Sequence, residues 1–176
     1  MADFVFGNLG PCEITFGSTT LTGNHSVEVR SVDLTAEHHE ASYGSDAKDE
    51  TLTGRSVEVD VTVVEASITE LQAILPGSTK TANELMFNSP VGTTLRSIAD
   101  KLTIKKIIGG VASSTATEWL TFFVAAPKSD LTLGFDDGGT DREVKVTFKC
   151  FRALSVPSGE TYAIGDSHAI GYGETS

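Results

Sequence analysis

The chain has 176 residues, and its 24 acidic and 13 basic side chains give it a formal net charge of −11. This length fits one domain that buries roughly 70% of the surface exposed by its unfolded chain. The negative charge argues against a surface whose affinity comes from binding phosphates. No segment approaches the ~20 consecutive apolar residues of a membrane span, and the first residues lack the pattern of a signal peptide. Two cysteines are too few for a disulfide scaffold. These features predict a soluble domain from a reducing compartment.

The acidic residues are concentrated in the first half of the chain. Residues 1–75 contain thirteen acidic and three basic side chains, whereas residues 76–152 contain eight and ten. The last 24 residues contain three acidic side chains and no lysine or arginine. Surface patches that differ in charge in this way can bring identical subunits together head to tail. The same charge also fits an acidic surface that only keeps the protein in solution.

The first two predicted strands lie in residues 13–16 and 27–34, where polar and apolar residues alternate. In the second segment, the two valines of its first half are out of phase with Val32 and Leu34. A change of phase would turn the later side chains to the other face of the sheet. We therefore predict a β-bulge inside this strand.

The next segment, residues 36–54, is polar, acidic and poor in residues that form a core. Connections longer than about 12–15 residues without secondary structure are uncommon in compact domains, and they are often functional. The segment is therefore predicted to be a long inter-strand loop.

The strongest strand signal, residues 55–65, leads directly into the strongest helix signal. Valine alternates with polar residues along the strand, as expected for one buried and one wet face. Ser67 and Glu70 then form the pattern of a capping box. Apolar residues follow at helical spacing until Pro76 and Gly77 end the helix. The sequence predicts a long strand followed by a short amphipathic helix.

The second half of the chain contains further strand candidates and a glycine-rich tail. Residues 102–108 are a weaker candidate, residues 119–125 read as a buried strand, and residues 143–150 alternate clearly. The acidic, glycine-containing residues 136–141 predict a hairpin turn before the last of these strands. Residues 155–176 are rich in small residues and are predicted to form an extended arm.

These elements predict a mainly β fold. We expect a β-sandwich or barrel with one short flanking α-helix and a long inter-strand loop. The expected division is a β domain over residues 1–154 and the extended C-terminal arm over residues 155–176.

The nearest match to a catalytic motif is Gly-Asp-Ser-His-Ala at residues 165–169. It is close to the G-x-S-x-G nucleophile elbow, which needs a strand before the serine, a helix after it and a partner histidine further along. No histidine follows His168, so a polar tail segment is the preferred interpretation. Cys12 and Cys150 lie in strand candidates and are best read as small buried hydrophobic residues. No catalytic residue or cofactor is predicted, and an enzyme ranks last among the function classes.

Four potential metal ligands are adjacent at Glu37, His38, His39 and Glu40. They lack the H-E-x-x-H spacing that places two histidines on one helical face. On a strand, the two histidines would point to opposite faces. Residues 136–141 lack the alternating acids and the distal glutamate of a calcium loop. No metal site is predicted.

The order of these elements resembles the major tail tube protein of long-tailed bacteriophages. The sharpest part is the Gly-Arg-Ser-Val-Glu-Val-Asp-Val-Thr-Val-Val-Glu-Ala-Ser segment of residues 54–67. The other parts that carry the resemblance are residues 10–17, 27–34, 37–54, 67–77, 119–127 and 142–154. The similarity covers most of the chain as an order of elements, and it includes no catalytic signature.

The resemblance implies a structural role in the virion. In this family, six subunits close a ring by joining their sheets into an inner β-barrel, and rings stack around a tape-measure protein. The finished tube, assembled in the bacterial cytoplasm, conducts double-stranded DNA into the host without binding it specifically. The expected partners are therefore copies of the same chain, the tape-measure protein, and the tail terminator and distal tail proteins, with no membrane insertion.

Two sets of residues are candidates for roles in such a tube. The loop is predicted to reach the next ring and to become ordered only on assembly. Its candidate contact residues are Glu37, His38, His39, Glu40, Tyr43, Asp46, Lys48, Asp49 and Glu50. Acidic side chains on the wet strand faces would repel the DNA backbone over about one Debye length, ~8 Å at physiological salt. The candidates for this lumen-facing role are Glu28, Glu58 and Asp60.

Other structural and binding roles stay open at this point. The inner tube of a contractile tail or a type VI secretion system has a similar fold. A capsid decoration or host-attachment β-sandwich would show exposed aromatic residues at its loop tips, where only Tyr43 stands out. A small-ligand-binding β-barrel would be monomeric, with an enclosed apolar pocket.

Overall fold

The structure, a computed structural model, describes residues 11–21, 25–40, 47–64, 66–87, 91–133 and 143–172. Within these ranges the fold is mainly β with one short α-helix, as predicted from the alternating segments. The strands are β1 (Cys12–Phe16), β2 (Thr19–Leu21), β3 (His25–His39), β4 (Ala47–Val64), β5 (Ser78–Thr81), β6 (Glu84–Phe87), β7 (Asp100–Ile108), β8 (Val111–Ala112), β9 (Trp119–Leu133), β10 (Glu143–Cys150) and β11 (His168–Ile170). The helix α1 (Ile68–Ile74) follows β4, and short 3-10 helices span Leu95–Ile98 and Ala116–Glu118. The predicted turn at residues 136–141 lies outside the described residues.

Most of the described strands form one antiparallel sheet. Its order is β2-β1-β7-β9-β10-β4-β3, with β11 paired to β9 and β8 paired to β7. Strands β5 and β6 form a separate hairpin next to α1. In the described part of the chain, β2 and β3 end the sheet order and do not pair with each other. The expected sandwich or barrel is therefore an open sheet.

The sheet is strongly curled around its buried face. Phe16 on β1 and Phe148 on β10 have ring centroids 5.1 Å apart, although β7 and β9 lie between their strands. In a flat sheet, three strand spacings would separate them by roughly 14 Å. Curling therefore brings the two rings together across the core.

The long strand β4 and the helix α1 follow the sequence pattern closely. The valines at residues 57, 59, 61 and 63 are buried in the core. At the helix start, the Ser67 amide donates to Glu70 Oε2 at 2.6 Å, and the Glu70 amide donates to Ser67 Oγ at 3.3 Å. These two bonds confirm the predicted capping box. Ile74 and Leu75 then pack into the core from the helix.

The predicted bulge in the middle of β3 is wrong. Pairing with β4 is continuous from His25 to Leu34, and the shifts occur later, between Leu34 and Thr35 and between His38 and His39. As a result, Val32 and Leu34 lie on the face opposite the first valines of the strand. A change of register would be needed only if these two side chains were buried. They are not, because β3 extends beyond the core here: Val32 is 58% exposed and Leu34 is 49% exposed.

The C-terminal segment folds back onto the sheet, whereas the sequence predicts an extended arm. Strand β11 pairs with the first half of β9, and the Phe123 amide donates to Ser167 O at 3.1 Å. The Phe123 ring stacks on Tyr162 at 4.0 Å and meets Tyr172 edge-on at 5.0 Å. Aromatic burial against β9 thus holds residues 155–172 in place.

Candidate assembly surface

A two-stranded extension of the sheet replaces much of the predicted loop. We call it the ribbon: residues 32–39 of β3 paired with residues 47–56 of β4. The prediction of an irregular loop over residues 36–54 is wrong for the described residues of that segment, which are paired strands apart from Glu40. The sequence does not indicate these strands, because both faces of the ribbon are exposed except at the half-buried Gly54 and Ser56 near the core, so buried and exposed residues do not alternate along most of its length.

The residues predicted to contact the next ring lie at the far end of the ribbon. Glu37, His38 and His39 are in β3, Glu40 follows it, and Lys48, Asp49 and Glu50 are in β4. Tyr43 and Asp46 lie outside the described residues. The described members are all exposed, so the structure brings them together at one projecting end of the molecule.

Local contacts tie these ribbon side chains to one another. His38 Nε2 lies 2.7 Å from Thr51 Oγ1, and His39 Nε2 lies 3.0 Å from Glu37 Oε2. Lys48 forms an ion pair with Glu40. Because the two histidines take different partners, they do not converge. In the described part of the chain, no three His, Cys, Asp or Glu side chains are grouped so that they could hold a metal ion.

Nearer the core, the ribbon exposes apolar side chains. Val32 and Leu34 share one face, and Leu52, 58% exposed, is paired with Thr35 beyond the first bulge. Gly54 lies opposite Leu34 and adds no side chain to cover it. A two-stranded hairpin in water is marginally stable by itself. The exposed apolar residues are thus a surface that contact with another molecule would stabilise.

The outer edge of β3 is also available for contact. β4 pairs with one edge of this 15-residue strand, and no described strand pairs with the other. An unpaired strand edge presents amide and carbonyl groups to which another strand can bond. This edge runs along the ribbon as well as along the part of β3 that lies beside the core.

The three predicted lumen-facing acids lie on one face of the sheet, opposite the core. Glu28 is opposite Asp60 in the β3–β4 register, and Arg30 is opposite Glu58. Arg30 Nη2 donates to Asp60 Oδ2 at 2.5 Å and lies 3.8 Å from Glu58 Oε2. Lys149 Nζ is 3.3 Å from the other Glu58 oxygen. Ion pairs with Arg30 and Lys149 therefore offset the negative charge of Glu58 and Asp60.

The Asp-Ser-His segment near the C-terminus forms a turn beside β11. Ser167 Oγ lies 2.8 Å from His168 Nδ1, whereas Asp166 Oδ2 accepts a hydrogen bond from the Ala163 amide at 2.8 Å. The acid therefore fixes the turn and does not orient the imidazole. The His168 ring stacks on Phe122 at 5.6 Å, and burial lowers the pKa of the imidazole, as does the charge of Arg55 to a smaller extent.

The surroundings of the two thiols lower their reactivity. Burial raises the pKa of Cys150 to about 12 and also raises the pKa of Cys12. Because the thiolate is the nucleophilic form, these shifts disfavour reaction at neutral pH. Cys150 is buried in the core, as predicted, whereas Cys12 is half-buried and packs against the core from outside.

No protein-family model matches this chain, and no curated protein matches it. In the described part of the chain, no helix has the length and apolar character needed to cross a bilayer.

Proposed function

We propose that the chain is the major tail tube subunit of a long-tailed bacteriophage. In this proposal, subunits assemble into stacked hexameric rings around a tape-measure protein, and the tube conducts double-stranded DNA into the host. The terminator and distal tail proteins would contact the two ends of the tube. The virion tail is the proposed location.

The observation that carries the proposal is the open sheet with its projecting ribbon. Its two ends differ: β2 has three residues, whereas β3 has 15. Contact between unlike edges of identical subunits is heterologous, and such contacts form a ring when the rotation closes. Ring closure would pair the strand edges that an isolated subunit leaves open.

The ribbon supports contact between rings as well as within them. It extends beyond the core, so it can reach a neighbouring subunit while the rest of the sheet stays in its own ring. Burying Val32 and Leu34 there would remove their apolar surfaces from water, which stabilises the contact by ~25 cal/mol per Å² of buried surface.

Glu58 and Asp60 form ion pairs within the subunit, so the proposed repulsion of DNA is weaker than the number of acidic residues alone suggests.

Substitution of the exposed ribbon residues tests the proposal. We expect Val32→Asp and Leu34→Asp to leave the monomer folded, because both side chains are exposed. The same variants should lose rings and tubes in electron micrographs, since a buried unpaired carboxylate opposes assembly. Ile164→Asp is a matched control, because Ile164 is an exposed apolar residue of the C-terminal segment and is not part of the ribbon. Normal tubes from both ribbon variants would contradict the proposed contact.

A further inference from the structure

A polar groove lies on the outer face of the sheet, where β1, β7 and β9 are neighbours. The register places Thr15 opposite Thr103, and Thr103 opposite Thr121. Lys105 and Trp119 are paired in the adjacent row. We call this site the threonine groove; its cavity has a volume of about 200 Å³. Three threonine side chains thus line a space that is large enough for a small molecule.

The hydroxyl of Thr121 is the most informative group in the threonine groove. Thr121 is 2% exposed, and its side chain lines the cavity. Among the described residues, the structure gives this hydroxyl no hydrogen-bond partner. A buried hydroxyl without a partner lowers the stability of a fold, and such groups are rare in native proteins. An acceptor supplied by a bound ligand would satisfy it.

Lys105 provides a positive charge to the same groove. Its side chain is 26% exposed, and its ammonium nitrogen lies 4.4 Å from the centre of the Trp119 ring. The nearest Glu13 oxygen is 3.9 Å from this nitrogen, which is beyond hydrogen-bond distance. At the other end of the cavity, Lys101 bonds Glu160 at 2.7 Å. Lys105 thus forms a long ion pair with Glu13 but no hydrogen bond to it, so its ammonium group lines the cavity with hydrogen-bond donors for a ligand.

We propose that the threonine groove binds a small oxyanion, such as a phosphate or a carboxylate group. Such a ligand supplies several acceptor oxygens, which the hydroxyls of Thr103 and Thr121 and the ammonium of Lys105 can contact together. Its negative charge distinguishes it from a neutral polyol of similar size. This inference does not depend on the proposed tube, because it rests on groups within one subunit.

The single tryptophan of the chain makes the test direct. Because Trp119 contacts Lys105, its fluorescence reports on this groove without contribution from another indole. Inorganic phosphate, acetate and glycerol are titrated into the full chain at constant ionic strength, with chloride as the balancing anion. We expect a saturable change with phosphate or acetate and none with glycerol. The binding constants of phosphate and acetate are then compared, which identifies the oxyanion geometry that fits the groove better.

Two variants and a control connect the response to the groove. We expect Thr121→Val to weaken oxyanion binding by about tenfold, the effect of losing one hydrogen bond to a charged group. The same substitution should leave the melting temperature unchanged or raise it, because it removes an unpartnered hydroxyl. Lys105→Gln should abolish saturation, whereas Thr62→Val, on the same sheet face but outside the groove, should bind as the parent does.

Three results would overturn the inference. The first is the absence of saturation with either oxyanion. The second is equal binding by the parent and Thr121→Val, which would indicate an adventitious ion only. The third is an equal response to glycerol, which would show that charge does not determine recognition.

Discussion

The pair Phe16 and Phe148 allows a quantitative test of the curled sheet. Both rings are buried, and their centroids are 5.1 Å apart. Replacing either with leucine keeps most of the apolar volume, so each single variant should lower the free energy of unfolding by about 1 kcal/mol. An aromatic pair contributes a further ~0.5–1.5 kcal/mol beyond burial. The double-mutant cycle should recover that amount as a coupling energy.

Urea unfolding of the parent, the two single variants and the double variant measures this coupling. Phe122→Leu combined with Phe148→Leu is the matched control. Phe148 is in register with Pro127, and Phe122 precedes Pro127 by five residues in β9. At ~3.3 Å per residue, the backbone positions of Phe122 and Pro127 are about 16 Å apart along the strand. The control pair should be additive within about 0.5 kcal/mol. Additivity for Phe16 and Phe148 as well would refute the curled geometry, because a flat sheet keeps their rings apart.

Three further predictions concern the helix cap, the C-terminal segment and the core thiol. Ser67→Ala should lower the free energy of unfolding by about 1 kcal/mol in urea titration, because it removes one partner of the capping box. Hydrogen bonds from Lys101 and Tyr172 lower the pKa of Glu160, so its contribution to stability is present above the ordinary carboxyl pKa and is lost as the pH falls through the lowered one. Glu160→Gln should therefore reduce the melting temperature at neutral pH and flatten its decline on acidification; a decline as steep as the parent's would contradict this. Cys150, whose pKa is raised to about 12, should react with a thiol reagent only after denaturation, as followed by mass spectrometry.

The sequence predicts best where a local pattern determines the structure. In β4, valines at every second residue require one buried face, and the structure buries them. Ser67 and Glu70 lie three residues apart and satisfy each other's amides without help from the rest of the fold. Such signals need no knowledge of distant contacts, so these elements could be predicted.

The ribbon could not be predicted because its strands have no buried face. Strand formation there depends on pairing between β3 and β4, and the bulge beside Leu34 changes the register of that pairing. The change of phase at Val32 and Leu34 is visible in the sequence, but it has two explanations. It can indicate a bulge, or it can indicate apolar residues that are exposed, as on a contact surface, and the structure shows these two side chains to be exposed.

Two other features depend on contacts between distant parts of the chain. Tyr162 and Tyr172 fold the C-terminal segment back by packing on Phe123, and a small-residue composition gives no sign of this. The threonine groove exists only because strand register aligns Thr15, Thr103 and Thr121. A threonine in an alternating strand is otherwise an ordinary wet-face residue.

Assembly of the purified chain is the most direct test of the proposed tail tube. Negative-stain microscopy and light scattering are carried out on the full chain over a rising concentration series. The account predicts rings of six subunits that stack into hollow tubes as the concentration increases, with the ribbon of each subunit against its neighbour. Monodisperse monomers at every concentration, with neither rings nor tubes, would contradict it.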